Sequence, residues 1–192
     1  MEKIMTVIKE YNRERARQYA EKWAQARNPL FSDYENLGGN CTNFVSQCVF
    51  AGSCVMNFTP VLGWYFLSDE ARTASWTGVQ FFYNFITQNT SVGPYGREVP
   101  QYQAQLGDVV QLGNEADGYY HSLLIVGFEA DSYLVAAQSN DAYMRRLDSY
   151  EYELARFIHI DGVRMEMPDR DCFLPLFNGE AIVIDGEVRK TV

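Results

Sequence analysis

Only six side chains in this sequence combine strong nucleophilicity or near-neutral basicity with metal affinity: four cysteines and two histidines. Cys41 stands out, within GGNCTNFVSQC at residues 38–48, where two glycines and an asparagine precede a thiol at the first turn of a predicted helix. A cysteine there can be a small hydrophobe that packs. It can equally be a nucleophile, because the positive end of a helix dipole favours the thiolate. Cysteine catalysis also needs a base and a polar group to orient that base. His121 opens HSLLIVGF, a predicted strand that follows the polar, glycine-bearing turn NEADGYY, and a rigid strand end beside a loop suits a base. His159, inside FIHIDG, is read as structural. Antiparallel pairing of HSLLIVGF with SYLVAAQS brings residues 138–141 back beside His121. Gln138 and Asn140 share one face by the period of two and are the candidates for the third position, with Asp141 reaching it if the strand bends.

The elements that would hold these residues are legible as patterns. Ala16, Tyr19, Ala20 and Trp23 line one face of a helix over 13–27, stopped by Asn28-Pro29. The spacing predicts a helix over 41–52 with Asn40 as N-cap and Gly52 as its stop. A third helix runs from Ser75 or Trp76 to about Gln88. Trp64 and Trp76 belong either to the core or to the rim of a substrate cleft, and Asn40 and Asn43 are placed to contact substrate. After VGPYG the pattern turns to short strands: LGDVVQL, HSLLIVGF and SYLVAAQS, then RFIHIDGVRM and AIVIDGEVRK, each of the last two with an Asp-Gly pair suited to a hairpin. Helices first and strands afterwards give an α+β class, with N-terminal helices on a mostly antiparallel sheet from about residue 107 onward, in a single domain over 1–192.

Composition narrows the partners. A formal charge of −9, from 16 basic and 25 acidic residues, repels phosphate backbones, so nucleic acid is not expected. The first 24 residues are charged and lack an apolar signal core, and no run of eighteen apolar residues follows. The chain as written is expected to be cytoplasmic with no membrane span, and extracellular or wall-associated if a leader has been trimmed. A chain of 192 residues needs no staples, so the four cysteines are read as thiols. Cys41, Cys48 and Cys54 lack zinc-ligand spacing, and neither metal nor cofactor is expected.

YNRERARQYAEKWAQARNP, GGNCTNFVSQCVFAG, SWTGV, LGDVVQL and HSLLIV together resemble the "Putative amidase domain" family, a distant branch of the papain-like NlpC/P60 and CHAP group of cysteine peptidases and amidases. The resemblance spans roughly residues 11–160. It implies a papain-like fold, Cys41 as nucleophile, His121 as base and the third position at Gln138 or Asn140. The residue before the cysteine is usually Asp in this family and is Asn40 here; the third position, often His, is Gln138. The implied activity is hydrolysis of peptide or peptidoglycan-type amide bonds through a thioester acyl-enzyme. Acyl transfer to an amine by the same Cys-His pair, as in transglutaminase-like enzymes, and a noncatalytic peptide- or glycan-binding module are the alternatives. The sequence leaves the oligomeric state open.

Overall fold

Asn12, three residues beyond a short edge strand, starts the first helix: its side-chain oxygen accepts from the Arg15 N–H at 3.0 Å, satisfying one of the orphan donors of the first turn. In the computed structural model, which describes residues 6–166, 171–184 and 187–189, that helix is α1 (Arg13–Trp23), preceded by β1 (Thr6–Lys9). α1 is shorter than the predicted 13–27, because the chain turns at 24–26 ahead of Asn28-Pro29.

The Cys41 helix is α2 (Cys41–Ser53), and all thirteen of its residues are buried. A helix apolar or satisfied on every side belongs at the centre of a fold. Gly52 does not stop it. The Asn12 N–H donates to the Gly52 carbonyl at 2.9 Å. A Cβ at Gly52 would lie 2.3 Å from the Tyr11 ring, so glycine serves close approach. The left-handed residue is Cys54. The aromatic helix is broken in two, α3 (Ala74–Thr77) and α4 (Val79–Gln88), by an extended Gly78.

The sheet comprises β1, β2 (Gly93–Val99), β3 (Val109–Asn114), β4 (Gly118–Glu129), β5 (Ser132–Ala137), β6 (Ala142–Arg146) and β7 (Leu154–Glu166), in the order β1-β7-β3-β4-β5-β6 with β2 also on β7. Every pairing is antiparallel. The fold is therefore mixed α+β as expected, but β1 and β2 join the sheet from before residue 107. β7 continues through Asp161-Gly162 with no hairpin there, since β2 pairs it on both sides, at Gly162 and Ile160, with Asp161 as the extra residue of a bulge. A second, two-stranded sheet pairs β8 (Ile182–Ile184) with β9 (Glu187–Arg189); the Asp-Gly expected to turn it, at 185–186, lies outside the described residues.

Period-two alternation splits the large sheet into two faces. Val109, Leu124, Val126, Ala136 and Ile158 pack toward α1, α2 and α4, whereas Val110, Leu112, Leu123, Ile125 and Phe157 form a second cluster on the outer face with Leu147 and Tyr150. Beyond the family-like span, α5 (Phe173–Asn178) packs on α1 and α2. Cys54 and Cys172 form a disulfide with a Cα–Cα distance of 5.5 Å, which corrects the reading of all four cysteines as thiols; Cys41 and Cys48 are free. The partners are 118 residues apart, so local spacing around Cys54 carried no sign of the bridge.

Asp108, just before β3, joins elements distant in the chain. Fully buried, it accepts from Arg13 at 2.5 Å, from the Ile160 N–H at 3.1 Å and from the Gln105 N–H at 2.8 Å, and lies 2.8 Å from His159 Nδ1. It ties the start of α1 to β7, and His159 is structural. Asp108→Ala is expected to cost about 3 kcal/mol or more, because it removes the carboxylate partner of Arg13 and strands two backbone donors. Urea unfolding measures this; a loss below about 1 kcal/mol would show the network to be dispensable.

Candidate active site

Gly38 and Gly39 explain the opening motif. Both sit at positive φ, +107° and +106°, where any side chain is strained. The backbone so turned delivers Asn40 and Cys41 to the sheet. The β5–β6 turn meets them, with Ser139 and Asn140 in successive left-handed conformations at φ 66° and 63°. Ser139 Oγ accepts from the Asn40 N–H at 2.6 Å.

Asn40 holds the N-cap position of α2, its carbonyl accepting from the Phe44 N–H at 2.9 Å, but its side chain makes no capping bond to the helix backbone. Its side chain is buried, accepts from the Tyr34 N–H at 3.1 Å and from Asn43 Nδ2 at 2.8 Å, and donates through a short bond to Gln138 Oε1. Gln138 spends the rest of its amide on the Trp23 and Ala26 carbonyls at the end of α1, at 2.7 and 2.8 Å. The expected third position therefore lies against the residue before the nucleophile instead of against His121. Asn140 is exposed on the turn, and Asp141 is ion-paired with Arg27 at 2.8 Å.

The other substrate-contact candidates are corrected in the same way. Asn43 donates to Ser32 O and accepts from Trp76 Nε1, both at 2.9 Å. Trp64 and Trp76 have no exposed surface and pack ring to ring at 4.7 Å between centroids. They are core, each worth about 5 kcal/mol of apolar burial. Their indole N–H groups are satisfied inside the core, Trp64 on Ser46 Oγ at 3.1 Å and Trp76 on Asn43. Tyr19 donates to Gln47 at 2.7 Å, so Gln47 faces inward as well.

Cys41 begins α2, where the first backbone N–H groups have no intrahelical acceptor and the dipole is positive. The residue keeps 8% of its surface exposed. Its sulfur lies 3.8 Å from Thr42 Oγ1 and 4.0 Å from the Tyr120 carbonyl oxygen, so the thiol abuts the peptide that precedes His121. Thr42 in turn meets Ser122 Oγ at 3.0 Å, and Gln111 donates to the same oxygen at 3.1 Å. Ser122 thus marks the α2 side of β4.

His121 points the other way. It opposes Leu112 in the β3–β4 register and so shares the outer face with Leu112 and Leu123. Its ring lies 6.1 Å from that of Tyr150, over which the Arg145 guanidinium packs at 3.8 Å from the centroid. Burial first, and Arg145 second, push the His121 pKa down from 6.5 to about 4. Cys41 and the His121 backbone are thereby brought together, and the two side chains are not. Period-two counting gives this face only once Ser122 has been placed against α2, because the strand is apolar on both sides.

A lowered histidine pKa means that the unfolded chain binds more protons than the folded one between pH 6.5 and 4, so this group's contribution is complete above 6.5 and is lost as pH falls toward 4. His121→Gln is expected to remove about 1–3 kcal/mol of that acid sensitivity. Chemical denaturation at pH 7 and pH 4.5 tests it; identical pH slopes in the two proteins would contradict the desolvated placement.

A family model described as "Putative amidase domain" matches residues 10–160. A Bacillus subtilis (strain 168) protein described as "Uncharacterized protein YhbB" is 34% identical over 141 residues, covering 71% of this chain. The aligned part is 44% of that relative, so the chain spans less than half its length. No solved structure matches. The matched span runs from before the Asn12 cap into β7 and takes in every element around Cys41 and His121. The chain belongs to the "Putative amidase domain" family.

Proposed function

We propose that this protein is a cysteine-nucleophile amide hydrolase with a papain-like, NlpC/P60-like arrangement, acting through a thioester acyl-enzyme. The observation that supports this best is Cys41: a free thiol on the first residue of α2, 8% exposed, with Thr42 Oγ1 and the Tyr120 carbonyl as polar neighbours. A structural cysteine gains nothing from the positive end of a helix, whereas a thiolate is stabilised there. Membership of an amidase family agrees with that chemistry.

In the proposed cycle Cys41 attacks the amide carbonyl, and the Cys41 N–H with a neighbouring donor holds the oxyanion; losing one such donor costs about 10²–10³ in rate. His121, with its ring turned to the α2 side, accepts the thiol proton, protonates the leaving amine and then activates water to hydrolyse the thioester. Substrates are peptide or peptidoglycan-type amides. The Cys54–Cys172 bridge supports an oxidising, extracellular or wall-associated setting over the cytoplasmic one. No helix among the described residues is long and apolar enough to cross a membrane.

One observation favours a second reading, a noncatalytic peptide- or glycan-binding module: the outward His121 ring leaves the sulfur without a base on its own face. Thiol labelling separates the two. As a hydrolase, the protein takes one iodoacetamide on Cys41 at pH 6.5, while Cys48, whose thiol burial pushes well up, stays unmodified. Equal inertness of both thiols in the folded chain supports the module and sinks the enzyme.

A further inference from the structure

The β3–β4 pairing contains a choice of two. Gly113 opposes Tyr119 and Gln111 opposes Ser122, so a single residue of β3, Leu112, confronts two of β4, Tyr120 and His121. One of them must be the extra residue of a β-bulge, a device that re-aims side chains. In this structure His121 takes the paired place and Tyr120 is extra.

The pairs on either side are anchored from the α2 side. Ser122 is fixed by Thr42 and Gln111. The Tyr119 ring packs on the Arg156 guanidinium at 3.9 Å, and Arg156 donates to Gln111 at 2.8 Å. The outer site holds the imidazole loosely by comparison. Among the described residues no hydrogen bond engages either ring nitrogen, and the neighbouring ring is that of Tyr150, at 6.1 Å between centroids. There the ring lies beside Tyr150 and on the face away from Cys41, so it makes no pair with the thiol.

If Tyr120 opposes Leu112 instead, both anchors stay and only the peptides around Tyr120 and His121 rotate. The period of two then turns His121 to the face of Ser122, beside the sulfur that now touches the Tyr120 carbonyl. We propose that the Tyr120–His121 bulge is a two-position switch that carries the imidazole between the Tyr150–Arg145 site on the outer face and Cys41 on the inner one, completing the catalytic pair only in the second position. The switch rests on the reading of Cys41 as nucleophile. In the inner position one proton passes from Cys41 Sγ to a ring nitrogen of His121, giving thiolate and imidazolium with no further reactant.

The test is a pair of crosslinks in the full chain under a glutathione redox buffer, mapped by mass spectrometry. In His121→Cys, the introduced thiol is expected to form a disulfide with Cys41 in most molecules. In Cys41→Ser/His121→Cys/Tyr150→Cys, the two introduced thiols report the outer position. Absence of the link to Cys41, whether or not the outer link forms, overturns the switch. Deleting Tyr120 supplies a second measurement on otherwise native residues, since His121 alone then opposes Leu112 and the ring is held outside. That deletion is expected to slow iodoacetamide labelling of Cys41 at pH 6.5 at least tenfold; an unchanged rate overturns the proposal. A Cys41 that is inert in the unsubstituted chain defeats the hydrolase reading itself, whereas a reactive Cys41 with no crosslink defeats the switch alone.

Discussion

Cys41→Ala is expected to lower amide turnover by about 10⁴–10⁶-fold while the protein stays folded, because removing the nucleophile of an acyl-enzyme mechanism leaves only binding and oxyanion stabilisation. That is about 5–8 kcal/mol of lost transition-state stabilisation. The fold should tolerate the change. The sulfur makes only long contacts, to Thr42 and the Tyr120 carbonyl, and the geometry before the helix is held by Asn40, Ser139 and Gln138 rather than by the thiol. The decisive comparison is kcat/KM on a peptide amide together with the thermal midpoint. Activity within tenfold of the parent at an unchanged midpoint would remove Cys41 from the chemistry. Gln138→Ala provides a contrast: it frees Asn40 and the end of α1, so stability falls along with rate, a pattern that Cys41→Ala must not show.

Much of this arrangement was legible before any coordinates, and the parts that were not share a cause. The Cys41 helix and the strands of residues 109–137 follow from local periodicity and from two glycines that need positive φ, so they could be read along the chain. Trp64, Trp76 and Asn43 could not be assigned that way. An aromatic residue beside polar ones reads equally as a cleft wall or as a core, and the decision lies with an acceptor thirty-three positions away, Asn43 Oδ1 under the Trp76 indole. Gln138 lies against Asn40 and the end of α1 rather than against His121, because strand register predicts which residues are adjacent and not which donors remain free. Asp161-Gly162 carries a turn signal, but β2 pairs β7 on both sides of it and tertiary hydrogen bonds override the local preference. The face of His121 hangs on a single extra residue at Tyr120 and on which side of β4 meets α2, and neither shows in a strand that is apolar on both faces.

The C-terminal bridge gives the second large effect. Cys54 ends the helix that Cys41 begins, and Cys172 opens α5, so the disulfide clamps the far end of the candidate catalytic helix to a segment outside the family match. It does not act alone. Arg15 pairs with Asp171 at 2.8 Å, the Trp23 indole donates to Phe177 O at 3.0 Å, and buried Asn28 donates to Leu176 O at 2.9 Å. Of these the surface ion pair contributes little and the buried bonds about 1 kcal/mol each, so they cannot replace a crosslink that closes a loop of more than a hundred residues. Such closure is worth about 2–5 kcal/mol through restriction of the unfolded chain. Cys54→Ser/Cys172→Ser is therefore expected to lower the thermal midpoint by about 10 °C, and dithiothreitol should do the same to the parent. Because Cys41 sits at the other end of α2, its iodoacetamide rate should change less than threefold in the variant when assayed well below the new midpoint. A midpoint unmoved by the substitutions would mean that the hydrogen bonds to α5 suffice without the bridge. A large change in Cys41 labelling at low temperature would instead mean that strain at Cys54 is transmitted along the whole helix to the thiol.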